Sequence, residues 1–303
     1  MTDLALVLGQ GFNGISVASI LLLAALGLAL SFGLMRVINM AHGEFLMLGG
    51  YLVFIAHQVF PGPAFLLLGL PLAFLGGAAM GALLEVTVIR RLYGRPLDTL
   101  LATWGVGLIL QQTARSIFGA TGVEVTAPWW LSGAMVISGG PLEGLSISYV
   151  RVFIIAVAAV ALVGMVYLLY RTRIGLHIRA VNQNREMAAA LGVNTRMVDL
   201  TVFALGAGLA GVAGAAFAML SPVTPTVGQS YIVRAFMVVI LGGVGSLLGT
   251  SLSAALVGSF TVLAETFMKV SFALVLLLGF VVIFLQFRPR GLVSTRSRAL
   301  DES

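Results

Sequence analysis

Long apolar blocks, broken at intervals by short polar or arginine-bearing stretches, set the pattern of this chain. Nine of them approach the roughly 20 residues an α-helix needs to cross a bilayer. They lie at 12–35, 37–58, 64–89, 97–117, 149–170, 198–220, 230–247, 249–268 and 270–287. The pattern predicts an all-α, polytopic helical membrane protein, one transmembrane domain over 1–303. It has about nine spans, or eight to ten if a broken or re-entrant segment changes status. Two blocks invite such breaks: the second carries Asn39, His42 and Glu44, and the seventh carries Gly242-Gly243-Val244-Gly245. Met1-Thr2-Asp3 lacks the cationic start of a signal peptide, and the first block outruns a leader's apolar core, so it is expected to be a retained helix.

Composition identifies the solvent. The chain is 59% hydrophobic and 9% charged, with a mean hydropathy of +1.08, against about 25% charged for soluble domains. Its polar side chains could not cover a water-facing surface of this size, so lipid must do so. Cysteine is absent, which excludes a disulfide framework, thiolate metal ligation and cysteine nucleophiles. The formal charge of +6 does not indicate nucleic-acid binding, because the arginines fall in blocks between apolar runs. These blocks are Arg36; Arg90, Arg91 and Arg95; Arg171, Arg173, Arg179, Arg185 and Arg196; and Arg288, Arg290, Arg296 and Arg298. Nine spans put an even number of crossings between neighbouring blocks, so all can share the cytoplasmic side. The N-terminus is then outside, 171–196 and the tail 288–303 are cytoplasmic, and 118–148 is an external loop. That loop is acidic through Glu124 and Glu143, and Trp129 and Trp130 suit a lipid interface.

Glycine, at 37 residues, marks close helix contacts. Gly206, Ala210, Gly214 and Ala218 place a small residue at every fourth position, shadowed by Ala207, Gly211 and Ala215; such faces let helices approach at backbone distance. Gly77 and Gly81 offer a lesser version, and Pro71 predicts a kink in the same helix. An echo between Phe45–Gly50 and Phe236–Gly243 hints at two related halves.

Three groups of residues could carry function. Within Arg171–Arg196, the run Glu186-Met187-Ala188-Ala189-Ala190-Leu191-Gly192 favours a short helix, with Gly192 and Asn194 suited to its C-terminal cap. It is either a docking helix or a solvated loop. In Arg36–Glu44, His42 and Glu44 are functional candidates if they lie at membrane depth. At the inner interface, Glu44 is instead a partner for Arg36 or a helix N-terminal anion. Thr99, Thr103, Trp104, Gln111 and Gln112, with Gln229, Ser230 and Tyr231, supply neutral hydrogen-bonding groups that either join helices or line a polar path. Thr99, Thr103 and Gln111 do not fall on one narrow stripe. His42, His57 and His177 form no dense ligand set, so no metal site is expected. The one lysine, Lys269, follows Phe267-Met268 and belongs to no phosphate loop. With no G-x-S-x-G elbow and no intramembrane carboxylate pair, enzyme classes find little support.

The chain resembles, over essentially its whole length, the permease subunits of branched-chain amino acid and urea ABC importers. The residues that carry the resemblance are Phe32–Glu44, Ile174–Asp199, Leu241–Ser246 and Arg288–Leu292. Arg95–Gly105 and Gly228–Val239 look like the urea branch, although Arg234 stands where that branch would carry an acidic residue. The resemblance implies a multi-pass subunit of the bacterial inner membrane, translocating a small polar solute, urea first and a branched-chain amino acid as the alternative. An ion-coupled carrier using His42 and Glu44 is a more distant alternative. The implied partners are a sister permease, two cytosolic ATPase subunits and a periplasmic or lipid-anchored binding protein. ATP and Mg²⁺ would sit on the ATPases, with no cofactor on this chain. The spacing E-x-A-x-x-x-G resembles a coupling-loop motif, which assigns ATPase coupling to Glu186, Ala188 and Gly192. The candidate pathway residues are Asn39, His42, Glu44, Thr103, Gln111 and Gln229.

Overall fold

A computed structural model describes residues 3–35, 37–60, 62–137 and 144–293. Arg36, Glu143, Arg296 and Arg298 therefore lie outside the described residues, as do the rest of 138–143 and of the tail beyond 293. The nine apolar blocks correspond to nine long helices: α1 (Asp3–Met35), α2 (His42–Val59), α3 (Ala64–Thr87), α4 (Pro96–Phe118), α5 (Tyr149–Arg171), α8 (Thr195–Ala218), α9 (Val227–Gly242), α10 (Leu247–Phe267) and α11 (Val270–Phe287). Between α5 and α8 lie α6 (Arg173–Gln183) and α7 (Arg185–Ala190). Six of the nine are long and apolar enough to span a bilayer. The others are α9, which is shorter, α2, which carries polar residues in its first and last turns, and α4, which carries them in its interior as well.

Boundaries moved where side chains compete for the backbone. The second helix starts at His42 rather than residue 37, because the preceding backbone amides are taken elsewhere. Ala41 N–H donates to Asn39 Oδ1 at 3.1 Å and Met40 N–H donates to Thr103 Oγ1 at 3.0 Å. The seventh begins at Val227 and stops at the glycine run, where Gly243 adopts φ +99°. Its last carbonyls are then satisfied by the tail: Leu292 N–H donates to Leu241 O and Val293 N–H to Gly242 O. The segment 171–196, read from sequence as a polar connection with one short helix over Glu186–Gly192, carries a second helix, α6, with Ile178 buried against the bundle. In the connection between α4 and α5, Ala134–Val136 (β1) pairs antiparallel with Ser146–Ser148 (β2). Helix α3 runs through Pro71 unbroken.

The small-residue face of α8 makes the centre of the bundle. Gly206 lies against Gly27 of α1 and Gly214 against the Leu46 carbonyl of α2; on the adjacent stripe, Ala207 faces Gly77 and Gly81 of α3. Lipid supplies no hydrophobic drive between helices, so close backbone approach and dispersion hold such contacts.

Two triplets repeat one arrangement. The first helix of α1–α2–α3 packs on the third of α8–α9–α10, and the first helix of the second triplet packs on the third of the first. In each triplet the middle helix follows an irregular segment, 37–41 before α2 and 219–226 before α9. Their N-terminal turns cross at Gly43 and Gly228, the second residue of each helix, where a Cβ on Gly43 would lie 2.2 Å from the Gly228 carbonyl oxygen. Geometry therefore aligns His42–Glu44 with Val227–Gln229, a different register from the echo between Phe45–Gly50 and Phe236–Gly243.

The crossing is deep. His42 Nε2 meets the Ala24 carbonyl at 2.9 Å, and the apolar span of α1 runs on to Gly33. Nine residues at 1.5 Å each put His42 about 13 Å inside that end, close to the middle of a roughly 30 Å hydrocarbon layer. Helix α2 thus begins within the bilayer.

Candidate functional site

A cleft of about 210 Å³ lies beside the crossing, lined by Met40, Glu44, Trp104, Gly107, Gln111, Gln229, Ile232 and Val233. Glu44 occupies the first turn of α2 and is 2% exposed. Gln111 Nε2 of α4 donates to Glu44 Oε1 at 2.7 Å, whereas Glu44 Oε2 has no hydrogen-bond partner among the described residues. Gln229 enters the cleft from the equivalent position of α9. A Cβ on Gly228 would lie 2.7 Å from the Gly43 carbonyl carbon as well as 2.6 Å from Glu44 Oε2, and the backbone contact means that only glycine lets α9 pass this close.

The structure brings together Glu44, Gln111 and Gln229, and places the other pathway candidates outside the cleft wall. Asn39 folds onto its own segment through Ala41. The His42 ring donates to the Ala24 carbonyl, which requires hydrogen on Nε2, and ties α2 to α1. Thr103 is fully buried; it accepts from Met40 and donates to the Thr99 carbonyl at 2.7 Å, joining helices rather than facing open space. Thr99, Thr103, Gly107 and Gln111 follow a four-residue spacing, and this slowly drifting face of α4 meets the α2 entry, contrary to the expectation that these side chains diverge. Arg234, one residue past the cleft wall, pairs with Glu265 of α10 at 3.8 Å.

At the end of the bundle that holds Met35, Val193 and Leu247 in one cluster, α7 sits on the surface. Asn184 caps it by accepting from Met187 N–H at 2.9 Å. Ala188 is buried, while Glu186, Met187 and Leu191 are exposed. Gly192 takes φ +86° beyond the last turn, its N–H on the Ala189 carbonyl and that of Val193 on Ala188, the paired closure of a Schellman motif. Asn194, expected to help end this helix, instead caps α8 by accepting from Met197 N–H.

An ionic network below α7 escaped the sequence reasoning. Arg185 makes a two-pronged pair with the buried Asp199 of α8 and lies over the Tyr93 ring at 5.3 Å. Asp199 holds the Arg185 guanidinium above its usual pKa, chiefly through that hydrogen bond. Glu85, fully buried on α3, pairs with Arg90 at 2.8 Å. Burial first, then the Asp199 and Glu85 charges, push the Tyr93 phenol above its ordinary range. Glu85 inside the third apolar block was a signal, since a carboxylate in such a run needs a partner.

Among the described residues no cluster of three or more His, Asp or Glu could hold a metal ion. Helices that begin at a buried crossing, beside a small cleft with a few polar groups in a bundle of long apolar helices, fit a multi-pass membrane transport protein. The chain belongs to the family described as branched-chain amino acid transport system, permease component, whose pattern matches residues 11–286. The high-affinity branched-chain amino acid transport system permease protein BraD of Pseudomonas aeruginosa is 28% identical over 301 residues, covering 97% of each chain. The corresponding LivH of Escherichia coli is 27% identical over 299 residues, covering 94% of this chain and 95% of its own. LivM of the same organism is 28% identical, over 90% of this chain and 68% of its own. No solved structure matches the chain. The protein is thus a transport subunit of the inner membrane and not an enzyme. The expected urea branch finds no support among these relatives, which favour the branched-chain amino acid alternative.

Proposed function

We propose that this chain is the membrane-spanning permease subunit of an ATP-binding-cassette importer for branched-chain amino acids. The similarity to BraD along 97% of the chain carries this reading. The subunit is a two-state gate moved by ATP binding on partner ATPases, which hold the ATP and Mg²⁺. A sister permease and a binding protein complete the assembly.

The arginine-rich end that presents α7 belongs in the cytoplasm by the positive-inside rule. There α7 suits docking: Ala188 seats it on the bundle, Gly192 ends it sharply, and Glu186 stands free beside exposed Met187 and Leu191 to meet an ATPase groove. The Arg185–Asp199 pair then links α7 to α8, whose small-residue face contacts α1, α2 and α3. Force on α7 thereby reaches the helices around the cleft.

Uptake of labelled leucine against labelled urea by the reconstituted complex tests the reading. Leucine accumulates with ATP and fails to accumulate in ATP-depleted vesicles that retain an ion gradient. Urea uptake without leucine uptake overturns the solute assignment. Accumulation without ATP overturns the energy source.

A further inference from the structure

Lipid suits much of the outside of the bundle. Along their middles the exposed residues of α3, α5 and α11 are apolar, as at Leu75, Val163 and Val275. Helix α4 differs. It is long enough to cross a bilayer but not apolar enough, and of its residues this chain buries only Thr99, Thr103, Gly107 and Ala114. Trp104, Leu108 and Gln112 form an exposed stripe at four-residue spacing. Gly107 faces Ala41 and Glu44 beside the helix crossing, so at 1.5 Å per residue Trp104 and Gln112 lie within about 8 Å of that level. Across the cleft, Gln229 and Ser230 are exposed in the first turn of α9, with Val233 exposed one turn further on. The side chains of Trp104, Gln112, Gln229 and Ser230 make no hydrogen bond among the described residues. An amide or hydroxyl left in hydrocarbon without a partner is costly. These two helices therefore present a mixed face that lipid does not solvate and this chain does not cover.

We propose that the α4/α9 face is the surface on which the sister permease docks, closing the cleft from the side. The inference rests on the proposed function, which names the partners; depth then selects among them. The ATPases and the binding protein work in water on either side of the bilayer and do not reach side chains near its middle. Another multi-pass subunit does. Its helices pack on Trp104, Leu108 and Val233 through dispersion and exchange hydrogen bonds with Gln112, Gln229 and Ser230. A sister with the same helix order brings its own α4 and α9 to the contact, so the polar groups of the two faces satisfy one another about a pseudo-two-fold axis. The cleft wall formed by Trp104, Gln229 and Val233 then opens onto a subunit interface instead of onto lipid.

Site-directed photo-crosslinking in the whole complex, in its own membrane, tests the face. The photoreactive residue p-benzoylphenylalanine replaces Leu108, Gln112 or Val233 in turn, and Leu75, Val163 or Val275 as references that face lipid. Irradiation is expected to join this chain to the sister permease from the α4 and α9 positions, at several times the yield from the references. Equal or greater yield from α3, α5 or α11 overturns the proposal, as does the lack of any sister adduct from α4 and α9. Adducts between two copies of this chain from those positions overturn the sister as the occupant. If one substituted chain fails to reach the membrane, the other positions on the same face decide. A purified complex that contains neither a sister permease nor ATPases refutes the proposed function itself. A complex that contains both but crosslinks through α5 refutes the face alone.

Discussion

The Arg185–Asp199 pair makes an asymmetric prediction about which half of an ion pair matters. The Asp199 side chain is 2% exposed while that of Arg185 is 45% exposed, and the contact is two-pronged. Arg185→Met therefore strands a buried carboxylate with no cation, whereas Asp199→Asn frees a guanidinium that can turn into water. Breaking a fully buried pair costs about 3–5 kcal/mol. Solvent around the half-exposed arginine reduces this to about 2–3 kcal/mol for R185M. D199N keeps an acceptor and costs about 1 kcal/mol. The double variant R185M/D199N has no stranded charge and falls between the wild type and R185M. Thermal unfolding of the purified complex at one heating rate ranks the four proteins, since membrane assemblies commonly unfold irreversibly and only the order is then meaningful. A midpoint for D199N at or below that of R185M, or strictly additive losses in the double variant, refutes the assignment of the cost to an uncompensated buried carboxylate.

Two further outcomes follow from the packing and the surface helix. Gly214→Ala places a Cβ 1.8 Å from the Leu46 carbonyl oxygen, so α2 must move away; a loss of about 1–3 kcal/mol is expected. Gly164→Ala on α5, with nothing within 4 Å, is neutral or gains up to about 1 kcal/mol. Equal midpoints for the two variants would contradict backbone-distance packing on α8. Glu186→Arg, or Gly192→Val at its positive φ, should leave the chain in the membrane and lose ATPase co-purification; normal recovery of the ATPases with both variants would remove α7 from the docking surface.

Much of the fold was legible because membrane solvation writes itself into composition. A helix in lipid must be continuous and apolar for about 20 residues, so nine blocks announced nine helices, and the small-residue stripe of α8 announced backbone contacts later met by Gly27, Leu46 and Gly77. The coupling segment was legible in part: Gly192 ends α7 as its conformational freedom suggests, but α6 went unseen because its amphipathic face only matters once Ile178 has a bundle to cover. The ionic network was unreadable as a network: Glu85 in its apolar block signalled a partner, but Arg185 and Asp199 lie far along the chain from Glu85 and Tyr93 and each alone looks like an interface charge.

The sequence alone determined the solvent, the class of protein and the segments that cross or break, because those depend on local apolarity and on backbone groups that lipid cannot satisfy. Only the tertiary structure decided depth and company. Whether Glu44 lay at an interface beside Arg36 or inside the bilayer could not be read from its neighbours in the chain. It depended on the irregular segment 37–41 delivering His42 to the Ala24 carbonyl and on a glycine 184 positions further on leaving room for its carboxylate. Burial of that charge is a property of helix crossing, and crossing is set by contacts between segments that the chain does not place side by side.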